Sequence, residues 1–484
     1  MTETCAQASD KHVPVKTHTR GSAPPKAAGD KHAHLILNAS PWRVTWTMGW
    51  PAVAVMMLWG LNAILDAVFI GQLIGEQALA GAVLAYPITQ LTLGLSSLAG
   101  IGGGVALSIA IGRGDRDLMR RLPGTVLAIA ALLALAYGLV GASLAELLIR
   151  AMGGQGELVG IGASYLRASA LGGLGAIAGM SLNMLLRGEG KMRLAAAYMA
   201  VGLVVNIVLT PLFIAGFGWG VAGAAWATNI GGLVGAALVW LRFARGQASY
   251  PVDARWVGLH RALARRIVKL GTPAMIMSSM GLVQALVVFN VLTRVGTESD
   301  IAFYGAAWRI LIFLLTPLFG LMRAFQPVAG INFGAGQWDR IRQSFWTFVA
   351  AGLAIIVPIW ATLTLLPEQT LALMLPEMTF SASDLHHFRV MMLVLPLLPV
   401  TFTALALLPA VEQPGKATLV SVSRQLVFYI PVMLILPGLI GLPGIYYGAT
   451  AIDLICGLWL LALVLAIFKR KERPHEQQTS PASA

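Results

Sequence analysis

Charge is what this chain has least of. Asp, Glu, Lys and Arg make up 11% of its 484 residues and hydrophobic residues 57%, whereas soluble domains carry about 25% charge. That shortage excludes a soluble globule. Cysteine is nearly absent too: Cys5 lies in a polar stretch and Cys456 in an apolar run, so neither a disulfide framework nor a thiolate metal set is available. Of eight histidines, His12, His18, His32 and His34 fall in the polar N-terminal stretch and none at the middle of an apolar run. This argues against a histidine metal site and against an enzyme built on a nucleophile–base pair among the apolar runs. The N-terminal stretch has no apolar core of its own and does not read as a cleavable signal peptide.

Long apolar runs are what the chain has in abundance. They recur from residue 45 to residue 468, each long enough to cross a bilayer as a helix, and they lack the short alternating pattern of an outer-membrane barrel. The expected fold is an all-α polytopic membrane protein. Its twelve spans fall near 45–72, 78–111, 122–147, 160–186, 194–215, 220–242, 267–293, 301–333, 343–366, 388–411, 417–438 and 442–468. Residues 1–42 read as a disordered tail, 43–242 and 267–470 as two six-helix lobes, 243–266 as a polar, basic linker and 471–484 as a second tail.

A net charge of +13 would suggest nucleic acid in a soluble protein. Here the basic residues sit between the runs and report topology. With the N-terminus inside, the inner segments hold 27 of the 34 Lys and Arg, while the outer segment 367–387 has none. The positive-inside rule therefore puts both termini in the cytoplasm, and no nucleic-acid partner is expected.

The chain repeats itself. Ile109-x-x-Gly112-x-Gly114 returns as Ile331-x-x-Gly334-x-Gly336, and Gly220-x-x-Gly223 returns as Gly441-x-x-Gly444, at offsets of 222 and 221 residues. Six spans separate the copies, so both halves share one orientation. That is the parallel-repeat plan of a transporter with a central cleft between two bundles.

Against this background Asp66 is the costly residue. It lies deep in the first apolar run, where an acid costs roughly 2.5–3.5 kcal/mol of insertion energy unless it lines a cavity or finds a partner. It is either a packing acid or an ion or proton site. The repeat maps it onto Val288, so the second half has no equivalent acid. An acid that packing requires should tend to occur in both halves, and the asymmetry favours function. Asn62 shares its helix face. Asn206, Thr210, Thr228 and Asn229 are polar residues of the same half. Singly, such residues are usually helix-to-helix glue worth about 0.6 kcal/mol; clustered round an acid, they can ligate a hard cation or set its proton affinity. Pro51, earlier in the same run, removes a backbone hydrogen bond and is a candidate hinge. Asp453 and Arg424 in the last two spans read as a structural ion pair. Phe69, Met184, Met280 and Phe289 can offer adaptable cleft contacts or fill ordinary helix interfaces.

Several motifs carry a resemblance: Asp66-Ala-Val-Phe-Ile-Gly71, Leu186-Arg-Gly-Glu-Gly-Lys191, Asn206-Ile-Val-Leu-Thr-Pro211, Gly223-Ala-Ala-Trp-Ala-Thr228, Gln326-Pro-Val-Ala-Gly-Ile-Asn-Phe-Gly-Ala335 and Ser423-Arg-Gln425 with Ile452-Asp453. Over nearly all of 45–470 the chain resembles the MATE (multidrug and toxin extrusion) transporters, in particular their DinF-like bacterial branch. The resemblance implies a secondary active antiporter of the bacterial inner membrane, a monomer without cofactor. Such a protein exports amphipathic, often cationic small molecules by alternating access, in exchange for H⁺ or Na⁺. It implies a coupling site of Asp66, Asn206, Thr210, Thr228 and Tyr165 and puts Asn183 in the substrate cleft, for which Asn62, Met184, Phe69 and Phe289 are candidates by residue type and position. Those relatives usually carry an Asp where this chain has Thr210. One carboxylate fewer weakens a Na⁺ site and still suffices for a proton, so H⁺ is the expected ion. The alternative is an exporter or flippase of lipid-linked or other metabolites from the same superfamily.

Overall fold

In hydrocarbon every backbone N–H and C=O must find its partner within the protein, and an apolar chain meets that demand by coiling into helices. The computed structural model describes residues 31–248, 258–372 and 379–479. The first lobe contains α1 (Lys31–Asn38), α2 (Pro41–Leu73), α3 (Glu76–Thr89), α4 (Leu91–Arg113), α5 (Arg116–Ser143), α6 (Ala145–Ala151), α7 (Glu157–Leu171), α8 (Gly173–Gly188), α9 (Met192–Pro211) and α10 (Gly220–Ala244). The second contains α11 (Arg261–Val295), α12 (Glu298–Gly334), α13 (Trp338–Leu365), α14 (Pro367–Ala372), α15 (Ala382–Met392), α16 (Leu398–Ala410), α17 (Pro414–Val422), α18 (Ile430–Ile440) and α19 (Pro443–Thr479). Among the described residues eleven helical segments are long and apolar enough to cross a membrane, and twelve when the bent pair α7–α8 counts as one. Large apolar side chains such as Trp46, Leu139, Val208 and Leu439 stand exposed on the outside, as a lipid-facing surface requires.

Three sequence expectations change. The expected continuous span at 160–186 is instead broken by 50° between α7 and α8. Asn229 supports the bend: its amide donates to the carbonyl of Ser169 at 3.3 Å and to that of Ala168 at 3.2 Å, the latter still accepting from the backbone N–H of Gly172. A Cβ at Gly172 would lie 2.2 Å from that amide nitrogen, so only glycine fits at the bend. The N-terminal tail is also shorter than expected. Residues 1–30 lie outside the described residues, but α1 is packed, with Ala33 and Ile36 buried. Arg340 donates to the carbonyls of Ile36 and Ala39 (3.0 and 2.6 Å), which ties the end of α1 to the second lobe. At the other terminus the backbone of α19 stays helical to Thr479, beyond the expected boundary at 470. Pro51 lies inside α2, which runs through it without a break. Part of the expected linker, residues 249–257, lies outside the described residues.

The lobes meet toward the face that carries the basic loops. There the two repeat motifs pack against each other: a Cβ at Gly112 would lie 2.1 Å from the carbonyl oxygen of Ile331, and one at Gly334 would lie 2.3 Å from that of Ile109. A second reciprocal crossing joins Gly102 to Ile267 and Gly271 to Leu98, at 2.1 and 2.0 Å by the same measure. Small residues let two membrane helices approach backbone to backbone, and these four seal one end of the cleft. At its rim Glu412 joins the lobes, accepting from Arg113 at 2.9 Å and from Arg266 at 2.6 Å. Glu412 has φ of 58°, a conformation that costs a non-glycine residue about 1–3 kcal/mol. Glu412→Gly removes both the ion pairs and the strain. Exposed pairs are worth at most about 1 kcal/mol each, so this variant is expected to keep its melting temperature within a few degrees. If thermal unfolding shows a large loss instead, the pairs hold the seal more strongly than their exposure allows.

Candidate functional site

Three helices of the first lobe converge on Asp66. It projects from α2, and Asn62, one turn earlier, donates its amide to Asp66 Oδ2 at 3.2 Å. Thr228 on α10 places its hydroxyl 3.4 Å from the same oxygen and 3.1 Å from the carbonyl of Ala224. From α9 comes Asn206, 3% exposed. When its amide nitrogen faces the acid, it donates to Asp66 Oδ1 at 3.2 Å and to Asn62 Oδ1 at 2.8 Å, while its oxygen accepts from the Thr228 hydroxyl at 2.9 Å. This orientation, assigned from the hydrogen-bond network, satisfies both ends of the Asn206 amide. Both carboxylate oxygens then face neutral N–H or O–H donors. Among the described residues no Lys, Arg or His forms an ion pair with Asp66, and no group of three or more His, Cys, Asp or Glu is arranged to hold a metal ion.

The remaining expected residues are dispersed around and beyond the acid. Thr210 is fully buried, but its hydroxyl donates to the carbonyl of Asn206 at 2.9 Å; it steadies the helix that carries Asn206 and makes no hydrogen bond to the acid. Directly after it the helix widens into a π-turn over Leu212–Gly216, a distortion frequent at functional sites. Tyr165 and Phe69 pack with Ile70, Ala78, Ala82 and Ile214 beside the site, and no hydrogen bond links Tyr165 to Asp66. Asn62, expected in the substrate cleft, is spent on the acid. Asn183 is buried, donating to the carbonyl of Ala195 at 2.8 Å and accepting from Arg187 Nε at 3.0 Å, so both ends of its amide are occupied within the protein. Met184 lines a small cavity between the lobes with Ser108, Arg187, Arg323 and Gln326. Phe289 lines a wider one of about 380 Å³ with Gly305, Trp308 and Arg309, all residues of the second lobe.

In that lobe Arg424 holds Asp453 Oδ1 through Nε at 2.8 Å and Nη2 at 2.6 Å. Its Nη1 donates to Gln284 at 3.2 Å, and Arg424 sits on a second π-turn, Ser423–Tyr429. Removing one partner leaves the other charge uncompensated. Asp453→Ala is therefore expected to lower the melting temperature by several degrees, and double substitution with Arg424→Ala to recover part of the loss. If the single variant melts like the parent, the pair has no structural weight.

Comparison with known proteins places these features in context. The MatE family profile matches residues 51–212 and 273–435. The multidrug export protein MepA of Staphylococcus saprophyticus is 26% identical over 426 residues, covering 87% of this chain and 92% of that protein. MepA of Staphylococcus aureus MRSA252 is 24% identical over 423 residues, covering 87% and 92%. Among solved structures, a MATE protein in a bent conformation superposes with a TM-score of 0.84 at 22% identity, over 91% of this chain and 99% of that one. An outward-facing multidrug resistance MATE transporter of the MOP superfamily gives 0.81 at 22% identity, over 91% and 99%. A MOP superfamily transporter from Pyrococcus furiosus, described by the reverse polarity of its binding pocket, gives 0.82 at 22% identity, over 91% and 98%.

Proposed function

Because the chain belongs to the MATE family, whose members are transporters and not enzymes, we propose that it is a proton-coupled multidrug antiporter of the bacterial inner membrane, with Asp66 as the coupling group. In this reading both termini and the sealed end of the cleft face the cytoplasm, the cleft opens outward, and amphipathic, cationic small molecules leave as protons enter. The polarity rests on the basic loops, and the substrate class on the multidrug export proteins that the chain resembles over 87% of its length.

One observation carries the reading. Asp66 is a carboxylate in an apolar span whose neighbours are neutral amides and a hydroxyl. A charge so placed is costly, and no neighbouring cation fixes it in the ionised form. Taking up a proton removes the charge and turns one oxygen from acceptor into donor. The amide and hydroxyl oxygens of Asn62, Asn206 and Thr228 can accept that bond once the amides turn. Helix contacts among α2, α9 and α10 thus depend on whether the proton is present, which is what coupling requires. Sodium would need several oxygens turned inward at once. With Thr210 committed to a backbone carbonyl, the site offers one carboxylate and otherwise mostly N–H donors.

The test is efflux of a fluorescent cationic dye from proteoliposomes. A pH gradient with no sodium should drive it, and a sodium gradient at equal pH should not; efflux that follows sodium alone would sink the proton reading. Export of phosphate-bearing lipids would call for a broad cationic cleft. The two arginines that meet between the lobes line a cavity far too small for such cargo.

A further inference from the structure

Two arginines that the proton pathway does not use, one buried and one half-buried, come together between the lobes. Arg187 projects from α8 of the first lobe, 3% exposed; Arg323 comes from α12 of the second. Both line one small cavity, closed in by Ser108, Met184, Gln326 and Pro327. Their partners are poor. Arg187 Nε donates to Asn183 at 3.0 Å and its Nη2 reaches only the sulfur of Met199 at 3.8 Å. Arg323 Nη1 reaches only the sulfur of Met184 at 3.6 Å, and a thioether is a weak acceptor. Arg187 Nη1 and Arg323 Nε are buried without a hydrogen-bond partner, and among the described residues neither arginine forms an ion pair with a carboxylate.

Two like charges in such a setting repel each other and are poorly solvated. A lysine could lose its proton, but a guanidinium does not. Water in the cavity would satisfy N–H groups and leave both charges standing. We propose that this cavity is a site for a small monovalent inorganic anion of chloride size, bridging Arg187 and Arg323. The free space of about 10 Å³ is close to the least that holds a single water, roughly 10–15 Å³. Chloride, somewhat larger than a water, enters as the two guanidinium groups draw aside slightly, whereas sulfate, phosphate or a substrate carboxylate is too large for this space.

The arginines belong to different lobes, so the anion is held by both only while this end of the cleft is sealed. Any ligand that binds one conformation better than another shifts the balance toward it. Chloride accordingly stabilises the sealed form, acting as an allosteric ion apart from the coupling proton. The inference does not depend on the identity of the coupling ion or the substrate.

The test is thermal unfolding of the purified full chain in sodium gluconate, with chloride replacing gluconate at constant ionic strength. The melting temperature should rise saturably by several degrees, and Arg187→Gln and Arg323→Gln should each abolish the rise. Radioactive chloride should bind the wild-type chain at one ion per chain, displaced by bromide and not by sulfate; this measurement decides the matter if neither variant folds. Absence of saturable chloride binding to the wild type, or a chloride response unchanged in both variants, overturns the proposal. Displacement by sulfate overturns the size argument and with it the assignment of a monatomic ion.

Discussion

Asp66→Asn is expected to reduce pH-driven dye efflux to the level of protein-free vesicles while the protein stays folded and inserted. The substitution keeps the shape of the side chain and most of its hydrogen-bonding reach. It removes an insertion cost of roughly 2.5–3.5 kcal/mol for a mid-helix acid, against hydrogen bonds to Asn62, Asn206 and Thr228 that weaken when their acceptor is neutral. The melting temperature should therefore hold or rise. Transport is lost because the amide has no proton to exchange at physiological pH. Stability and activity thus move apart, which a packing acid would not allow. If Asp66→Asn instead unfolds the protein, or exports at the parental rate, Asp66 is not the coupling group.

The second large effect concerns the sealed end of the cleft. Gly334→Leu should abolish export and open that end to water. A Cβ alone would lie 2.3 Å from the carbonyl oxygen of Ile109, and that atom is backbone that cannot swing aside. The whole α4–α12 crossing must separate. A cysteine in place of Ser108, 1% exposed in the sealed form, should react slowly with a membrane-impermeant maleimide in a background lacking Cys5 and Cys456. In the Gly334→Leu background it should react at least tenfold faster. Equal rates in both would mean that the lobes seal elsewhere. Gly112→Leu, the repeat-related change, should behave alike, because the two glycines face each other's helices reciprocally.

The glycine seal was legible as pattern but not as contact. The duplicated Ile109-x-x-Gly112 and Ile331-x-x-Gly334 motifs announced two equivalent halves, and only the fold reveals that the copies pack on each other. Asp66 was legible for a physical reason: an acid in an apolar run is a rare and expensive event whatever surrounds it. Asn206 and Thr228 were expected near it because polar residues in the same half had few other reasons to be there, yet the same logic misassigned Asn229, which serves the bend at Gly172. A side-chain amide that replaces a backbone hydrogen bond has the same sequence signature as one that faces a site. Nor did sequence distinguish Asn62 as a neighbour of the acid from Asn62 as a cleft residue, since one helical turn permits both. By sequence Arg187 falls just past the expected span 160–186 and Arg323 inside the span 301–333, and nothing in that placement pairs them. Their meeting depends on how two lobes dock across more than a hundred residues, which no local spacing encodes. The packing of α1 was missed because eight residues give too little periodicity to stand out from a polar tail.

The central claim is that Asp66 exchanges a proton for substrate, and proton release on substrate binding tests it most directly. In weakly buffered solution near the pH at which half the sites are protonated, adding a cationic dye to the purified wild-type chain should release a saturable fraction of a proton per chain, with or without sodium. Asp66→Asn should bind dye and release none. Release of equal size from both proteins, or release from neither while sodium alone is displaced, would contradict the account.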